Sequence, residues 1–322
     1  MEFKQLNILI TGGFGYLGGR LAQFLESQVD YKIYLSSRKK RVSPEWIQEA
    51  NIIQISLSSN EELKQVLNGI DVVVHLAGIN AQECVADPIA AIECNAVSTA
   101  RLINACLKEN VKRFVYISSA HVYGNQLTGN INEKTFPSSL HPYATSHRAG
   151  EDVVLAANQR GDLEGLVIRL SNAYGPPSRK DANCWMLLVN DLCRQAVVKK
   201  KLQLNSSGSQ RRDFIPISDF CRVIKHLIEL PLSKIDNGLF NVGGNWAPTI
   251  LEMTSLIAEQ FFVETAIKLE ISCKPNAIIE ESLSLEYDVS KILSTGFELS
   301  DRSCVNREIN DLIKFCLHSF KK

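Results

Sequence analysis

Along the first 170 residues, short apolar runs alternate with amphipathic stretches. The runs "LNILI" (6–10), "YKIYL" (31–35), "IIQIS" (52–56), "DVVVHLA" (71–77), "RFVYIS" (113–118) and "LVIRL" (166–170) are short and rich in valine and isoleucine. Such runs suit strands covered on both faces. Between them the pattern predicts helices at about 16–29, 60–68, 88–109 and 142–159. The third carries its apolar residues at Ile89, Ile92, Ala96, Ala100, Ile103 and Leu107, a helical stripe. Strand and helix in this rhythm make βαβ units, and hence an α/β fold with a doubly wound parallel sheet. After about residue 170 the rhythm loosens through "NAYGPPSR" (172–179), a helix expected at 183–200 and the polar loop "NSSGSQRRD" (205–213). The expected organisation is one domain over 1–170, with segments near 213–245 returning to it, and a smaller C-terminal lobe made mainly of 171–322. There is no internal repeat, coiled coil or low-complexity segment.

The composition narrows the partners. The 322 residues include 35 basic and 35 acidic side chains, for a formal charge of zero. Nothing in that balance asks for nucleic acid or an acidic membrane, so the expected ligand is small. Nine cysteines, Cys84, Cys94, Cys106, Cys184, Cys193 and Cys221 among them, are scattered without a C-x-x-C pair. They read as reduced, buried thiols, with neither a disulfide framework nor a metal site expected. The N-terminal "MEFKQLNILI" runs into a strand with no signal-peptide pattern, and no apolar run reaches the roughly 18 residues of a membrane span. A soluble, cytoplasmic protein is expected.

The first strand leads into "ILITGGFGYLGGR" (8–20), with glycines at Gly12, Gly15 and Gly18 before a helix. Gly12 permits a tight turn, Gly15 lets backbone amides approach a pyrophosphate, and Gly18 allows close helix–strand packing. Placement inside the first βαβ unit marks a dinucleotide site. An acid at the end of the second strand would select the ribose 2′-hydroxyl of NAD. Here the strand runs into "SSRKKR" (36–41), with Arg38 at its tip and no acid. A guanidinium suits a 2′-phosphate, so NADP is preferred to NAD.

The runs "TGGFGYLG", "DVVVHLAG", "ECNAVSTARLINAC", "RFVYISSAHVYG", "PYATSHRAGE", "IRLSNAYGP", "RRDFIPISDF" and "FNVGG" together resemble the extended short-chain dehydrogenase/reductase family. They lie closest to its nucleotide-sugar epimerases, dehydratases and 4-keto reductases, and the resemblance covers almost the whole chain. It implies a Rossmann-type nucleotide domain over 1–170 and a substrate-binding lobe beyond it. It implies a homodimer through the helices near 88–109 and 142–159. Ser119 is expected to hydrogen-bond the substrate oxygen, and Tyr143 to exchange a proton as hydride moves to or from nicotinamide. Phe14, Tyr16 and Leu17 of the glycine turn, Leu76, Ala77 and Gly78 after the fourth strand, and Ser118 join Arg38, Tyr143 and His147 as cofactor contacts. Asn172 and Arg212 match positions that contact the diphosphate of a nucleoside-diphosphate sugar, and His121 is placed at the substrate. Asn95 matches a mainly structural position. Ser56 stands where many relatives carry an aspartate for the adenine.

One departure touches the chemistry. The family's lysine four residues after the tyrosine is His147 here. The i, i+4 spacing keeps it on the face of Tyr143, while Arg148 lies about 100° away around the helix. Three readings follow. Tyr143 acts as an acid from its neutral form without a cation; or His147, when protonated, supplies the charge, so that activity rises toward acid pH; or catalysis is lost and a cofactor-binding scaffold remains. Reduction of a 4-keto sugar is slightly preferred, with an NAD-dependent 4-epimerase as the runner-up and a non-catalytic regulatory protein as the third reading.

Overall fold

The structure, a computed structural model, describes residues 5–273 and 283–320. Seven strands share one sheet: β1 (Leu6–Thr11), β2 (Tyr31–Ser37), β3 (Asn51–Gln54), β4 (Val72–His75), β5 (Arg113–Ser119), β6 (Glu164–Leu170) and β7 (Leu239–Val242). Their order is β7-β6-β5-β4-β1-β2-β3. Every pairing from β6 across to β3 is parallel, as in Ile8 beside both Ile33 and Val72. β4 and β5 are buried at every residue, which is why they read as continuous apolar runs. The order reverses between β1 and β4, the crevice where open α/β sheets bind ligands. This is the Rossmann-type α/β fold that the sequence predicts.

Helices α1 (Tyr16–Glu26) and α2 (Asn60–Leu67) lie where the periodicity places them. The helix expected over 88–109 is broken into α4 (Pro88–Ile92), a π-helical turn (Glu93–Val97) and α5 (Ser98–Lys108). An unexpected short helix, α3 (Ala81–Ala86), precedes it, with Asn80 and Glu83 forming a capping box. Asp87 then caps α4, its Oδ1 accepting from Ala90 N–H at 2.9 Å with Pro88 at the first helical position, so the Asp-Pro pair separates the two helices. Helix α6 (Pro142–Gln159) matches its predicted span and opens with Pro142 at its first turn. Beyond it come α7 (Leu188–Lys199), α8 (Ile217–Glu229), α9 (Ile250–Thr265), α10 (Ser290–Ser294) and α11 (Arg302–Phe320). Helix α7 begins later than the expected 183 because Ala182–Leu187 form turns instead, Cys184 N–H bonding Ala182 O at 2.9 Å.

The chain divides into two compact units. Met1–Asn125, Glu133–Leu170 and Cys221–Asn241 make the first; Gln126–Asn132, Ser171–Phe220 and Val242–Lys322 make the second. In the first, Leu9, Val73, Phe114 and Val167 of the sheet pack on Leu63 and Leu67 of α2, Leu102 and Cys106 of α5, and Val154 and Ala157 of α6. In the second, Leu192 and Ala196 of α7 meet Met253, Ile257 and Phe261 of α9 and Ile309, Leu312 and Ile313 of α11. All nine cysteines are free thiols, and six are buried. Among the described residues no helix is long and apolar enough to cross a membrane.

A buried ion pair ties α6 to the sheet. Glu151, fully buried, accepts from Arg169 Nη2 at 2.7 Å and from Ser118 Oγ at 2.5 Å, and the Arg169 guanidinium lies 4.7 Å from the Tyr123 ring centre. Removing one member of such a pair leaves the other charge without water or partner. Glu151→Ala is expected to lower the unfolding free energy by about 3–5 kcal/mol, read from urea denaturation. A loss below about 1 kcal/mol would show that water replaces the carboxylate.

Candidate active site

The glycine turn sits at the C-terminal end of β1, beside the reversal of strand order. Gly12 has φ +70°, and a Cβ there would lie 2.8 Å from Leu76 C and O and from Ala77 N. The turn therefore abuts the Leu76–Ala77–Gly78 segment after β4, which is further held by Ala77 N–H to Thr11 Oγ1 at 3.2 Å. A Cβ on Gly18 would strike the Gly12 carbonyl, so helix and turn touch through backbone alone. Gly15 is the N-cap of α1, is exposed, and offers no side chain to the first amides. An uncapped N-terminus on a glycine turn is the donor set a pyrophosphate requires. Tyr16 and Gly18 are buried, and Phe14 and Leu17 are half-buried around the turn.

At the tip of β2 the structure adds a basic residue that sequence reasoning missed. Arg38 follows Ser37 directly, and its charge reaches Cys94, whose thiol it pulls down against the larger upward effect of burial. Arg41 donates from Nε to Ser37 Oγ at 3.2 Å, and its guanidinium lies 4.6 Å from the Phe14 ring centre. The signal was present in the "SSRKKR" run, but only folding puts its last arginine over the glycine turn. Ser56 closes a neighbouring loop, its N–H bonding Glu62 Oε2 at 2.6 Å.

Tyr143, His147 and Glu151 stand on one stripe of α6, over the end of β5. His141 caps the helix, its Nδ1 accepting from Tyr143 N–H at 3.2 Å. The Ser119 hydroxyl hydrogen-bonds the Tyr143 phenol and lowers its pKa, but desolvation is larger and the net shift is upward. Ser119 Oγ also accepts from His121 N–H at 3.2 Å, and the His121 ring centre lies 6.4 Å from that of Tyr143. Ser119, His121, Tyr143 and His147 are thus brought together within the first unit. The Ser118 side chain, expected at the cofactor, donates to the buried Glu151 carboxylate at 2.5 Å instead. Arg148 pairs with Asp152 at 2.9 Å, and its other guanidinium nitrogen lies 3.5 Å from Glu151 Oε2 on the stripe.

His147 is 7% exposed, its ring centre is 4.5 Å from that of Tyr143, and its Nδ1 lies 3.1 Å from Tyr116 Oη. Desolvation first, and the neighbouring His121 second, lower its pKa from 6.5 to about 4. A buried imidazole with no carboxylate partner stays neutral, which speaks against the reading in which a protonated His147 supplies the charge. Neither Tyr116 nor Gly150 was singled out in the sequence, yet both shape this corner. A Cβ on Gly150 would lie 2.5 Å from Tyr116 Oη and 2.6 Å from Asn95 O. The Asn95 side chain is structural, Oδ1 accepting from Ile79 N–H at 3.3 Å and Nδ2 donating to Ser146 Oγ at 3.0 Å.

In the second unit, Asn172 opens a short strand, Asn172–Tyr174, that runs parallel to Phe214–Pro216, and Arg212 lies just before the latter. Asn172 Nδ2 donates to Asp213 O at 2.8 Å. Arg212 Nη2 donates to Gln210 Oε1 at 3.1 Å, and burial lowers its pKa. Between them the Asp213 carboxylate accepts from Gly244 N–H at 2.9 Å and Trp246 N–H at 3.1 Å, locking the "RRDF" run to the "FNVGG" turn.

These features match a known family. Residues 8–243 fit the NAD dependent epimerase/dehydratase family. The chain is 27% identical, over 79% of its length and 82% of the relative's, to an uncharacterized UDP-glucose epimerase, YtcB, of Bacillus subtilis (strain 168). Its fold superposes with a TM-score of 0.82, at 21% identity over 98% of this chain and 100% of the other, on a UDP-N-acetylglucosamine 4-epimerase from Methanobrevibacter ruminantium M1. It superposes with a TM-score of 0.77, at 25% identity over 98% and 100%, on MoeE5 in complex with UDP-glucuronic acid and NAD. The chain belongs to the NAD-dependent epimerase/dehydratase family of nucleotide-sugar enzymes.

The neutral histidines make stability pH-dependent. His147 is lowered to about 4, and His75, buried beside Phe114 and Tyr116, to about 3, in both cases chiefly by desolvation. The unfolded chain takes up these protons near 6.5, before the folded one does, so stability is full above that pH and drains as pH falls toward 4 and 3. The urea midpoint is expected to fall on acidification through this window, with a shallower slope in His147→Gln. A midpoint level from pH 6.5 to 4 would show both imidazoles to be hydrated.

Proposed function

We propose that the chain reduces a keto group of a nucleoside-diphosphate sugar, a 4-keto sugar being the expected substrate, with Tyr143 as proton donor. The observation that carries this reading is the state of the pair on α6: the Tyr143 phenol is raised and the His147 imidazole is lowered, so both rest neutral. A neutral phenol is set to give a proton, whereas starting from an alcohol requires a group that takes one. When bound, a nicotinamide dinucleotide supplies the hydride. Tyr143 gives its proton to the carbonyl oxygen, Ser119 donates a hydrogen bond to the same oxygen, and the two together steady the charge that develops there. Asn172 and Arg212 take the diphosphate, and His121 contacts the sugar.

The glycine turn of Gly12, Gly15 and Gly18 holds the pyrophosphate, flanked by Phe14, Tyr16 and Leu17 and by Leu76–Gly78. Arg38, joined by Arg41 over Phe14, favours NADP, since two guanidiniums and no carboxylate stand at the tip of β2. Exposed Val85, Ile89, Ile92 and Val97 on and around α4 support a homodimer through this helical layer. The free thiols suit the reducing cytoplasm. A 4-epimerase with retained NAD is the second reading, favoured by the similarity to the Bacillus subtilis protein named as a UDP-glucose epimerase.

The test is a fluorescence titration with NADPH and NADH, followed by turnover on a nucleoside-diphosphate 4-keto sugar. NADPH is expected to bind at least about tenfold tighter, with the preference lost in Arg38→Asp. Tyr143→Phe is expected to lower kcat about 10²–10⁴-fold. The rate should stay level through the pH range where a free histidine titrates. NAD that stays bound through purification, with interconversion of sugar epimers, moves the reading to the epimerase. Cofactor binding without turnover moves it to a regulatory protein.

A further inference from the structure

Buried polar groups run from β1 to α6 in the first unit, and their protons can be assigned one by one. Thr99 Oγ1 donates to Asn95 O at 2.8 Å, which uses its only proton. The proton in the 3.1 Å contact between Thr99 Oγ1 and His75 Nε2 therefore belongs to His75. His75 Nδ1 is then bare and accepts from Thr11 Oγ1 at 2.6 Å, and Thr11 accepts in turn from Ala77 N–H. Each of these four contacts has one proton.

The other end closes in the same way. Tyr116 Oη lies 3.2 Å from Asn95 O and 3.1 Å from His147 Nδ1. A carbonyl oxygen brings no proton, so the one between Tyr116 and Asn95 is the tyrosine's own. Burial raises the Tyr116 phenol well above its ordinary value, so that proton stays on it. The proton in the second contact must then come from His147 Nδ1. The reverse assignment would set two oxygen lone pairs against each other at 3.2 Å in a buried site. A neutral imidazole carries a single proton, which leaves Nε2 as a lone pair. Among the described residues Nε2 has no hydrogen-bond partner, although the residue is only 7% exposed.

We propose that the Asn95 carbonyl and Tyr116 hold His147 as its Nδ1–H tautomer, so that Nε2 accepts a hydrogen bond from a hydroxyl of the bound ligand. Tyr116 is thereby a positioning residue. A lysine at this place offers only donors, so the site reads a hydroxyl with the opposite polarity. The ligand half of the proposal rests on the nucleotide and sugar reading given above; the tautomer does not. Two hydroxyl sources share this chemistry, the ribose of a nicotinamide dinucleotide and the hexose of a nucleoside-diphosphate sugar.

The experiment is ¹⁵N NMR of the full chain labelled at its histidines, at neutral pH, with the His147 signals identified by their absence from His147→Gln. The expected spectrum has a pyrrole-type Nδ1 and a pyridine-type Nε2. A proton on Nε2 in the wild-type protein overturns the proposal, whether or not cofactor binds. In Tyr116→Phe the Nε2–H form is expected to appear and NADPH affinity to fall about threefold to tenfold. A folded Tyr116→Phe with the tautomer unchanged overturns the positioning role, and the wild-type spectrum decides the tautomer even if that variant does not fold. NADPH and UDP-glucose are then added separately. An upfield move of Nε2 with the first identifies the ribose, and with the second the hexose; saturation by both without a move overturns the acceptor role. If neither ligand binds while the tautomer is as expected, the nucleotide-sugar reading fails and the assignment of protons stands.

Discussion

The site depends on how closely helix α6 approaches strand β5. At Gly150 there is no room for a side chain, because a Cβ would meet both the Tyr116 hydroxyl and the Asn95 carbonyl. Glycine at this point costs some helix stability but leaves room for the Tyr116 phenol of β5 and the Asn95 carbonyl of the π-helical turn against the helix backbone. With that approach made, the stripe of Tyr143, His147 and Glu151 falls over the end of the strand. Tyr116 and Ser118, which share one face of β5, meet His147 and Glu151 in turn. Ser119, at the end of the strand, meets the first member of the stripe.

Charge is divided across the first unit by solvent access. Deep under α6 the Glu151–Arg169 pair is buried as a pair, each charge covered by the other. The groups next to it that lack an opposite charge, His75, Tyr116, Tyr143 and His147, are held in their neutral forms by desolvation. Positive charge without a carboxylate beside it stands in water on the Arg38–Arg41 segment at the tip of β2, which is exposed.

The sequence by itself determined the sheet, the glycine turn and the place of Tyr143 and His147. Strands buried on both faces must be continuously apolar, a tight strand-to-helix turn must be glycine, and an i, i+4 pair must share a helix face; these are local requirements that leave local marks. The break at Asp87-Pro88 and the capping box at Asn80 were also written locally, yet the apolar stripe that continues past them hid the interruption. What only the tertiary structure decided are the relations between segments distant in the chain. Arg41 reaches Phe14 across a loop, Ser118 turns to Glu151 rather than to the cofactor crevice, and the Asn95 carbonyl meets Tyr116. The charge state of His147 belongs to this second class. Its identity is one letter, but its pKa is a property of the low-dielectric surroundings that packing alone creates.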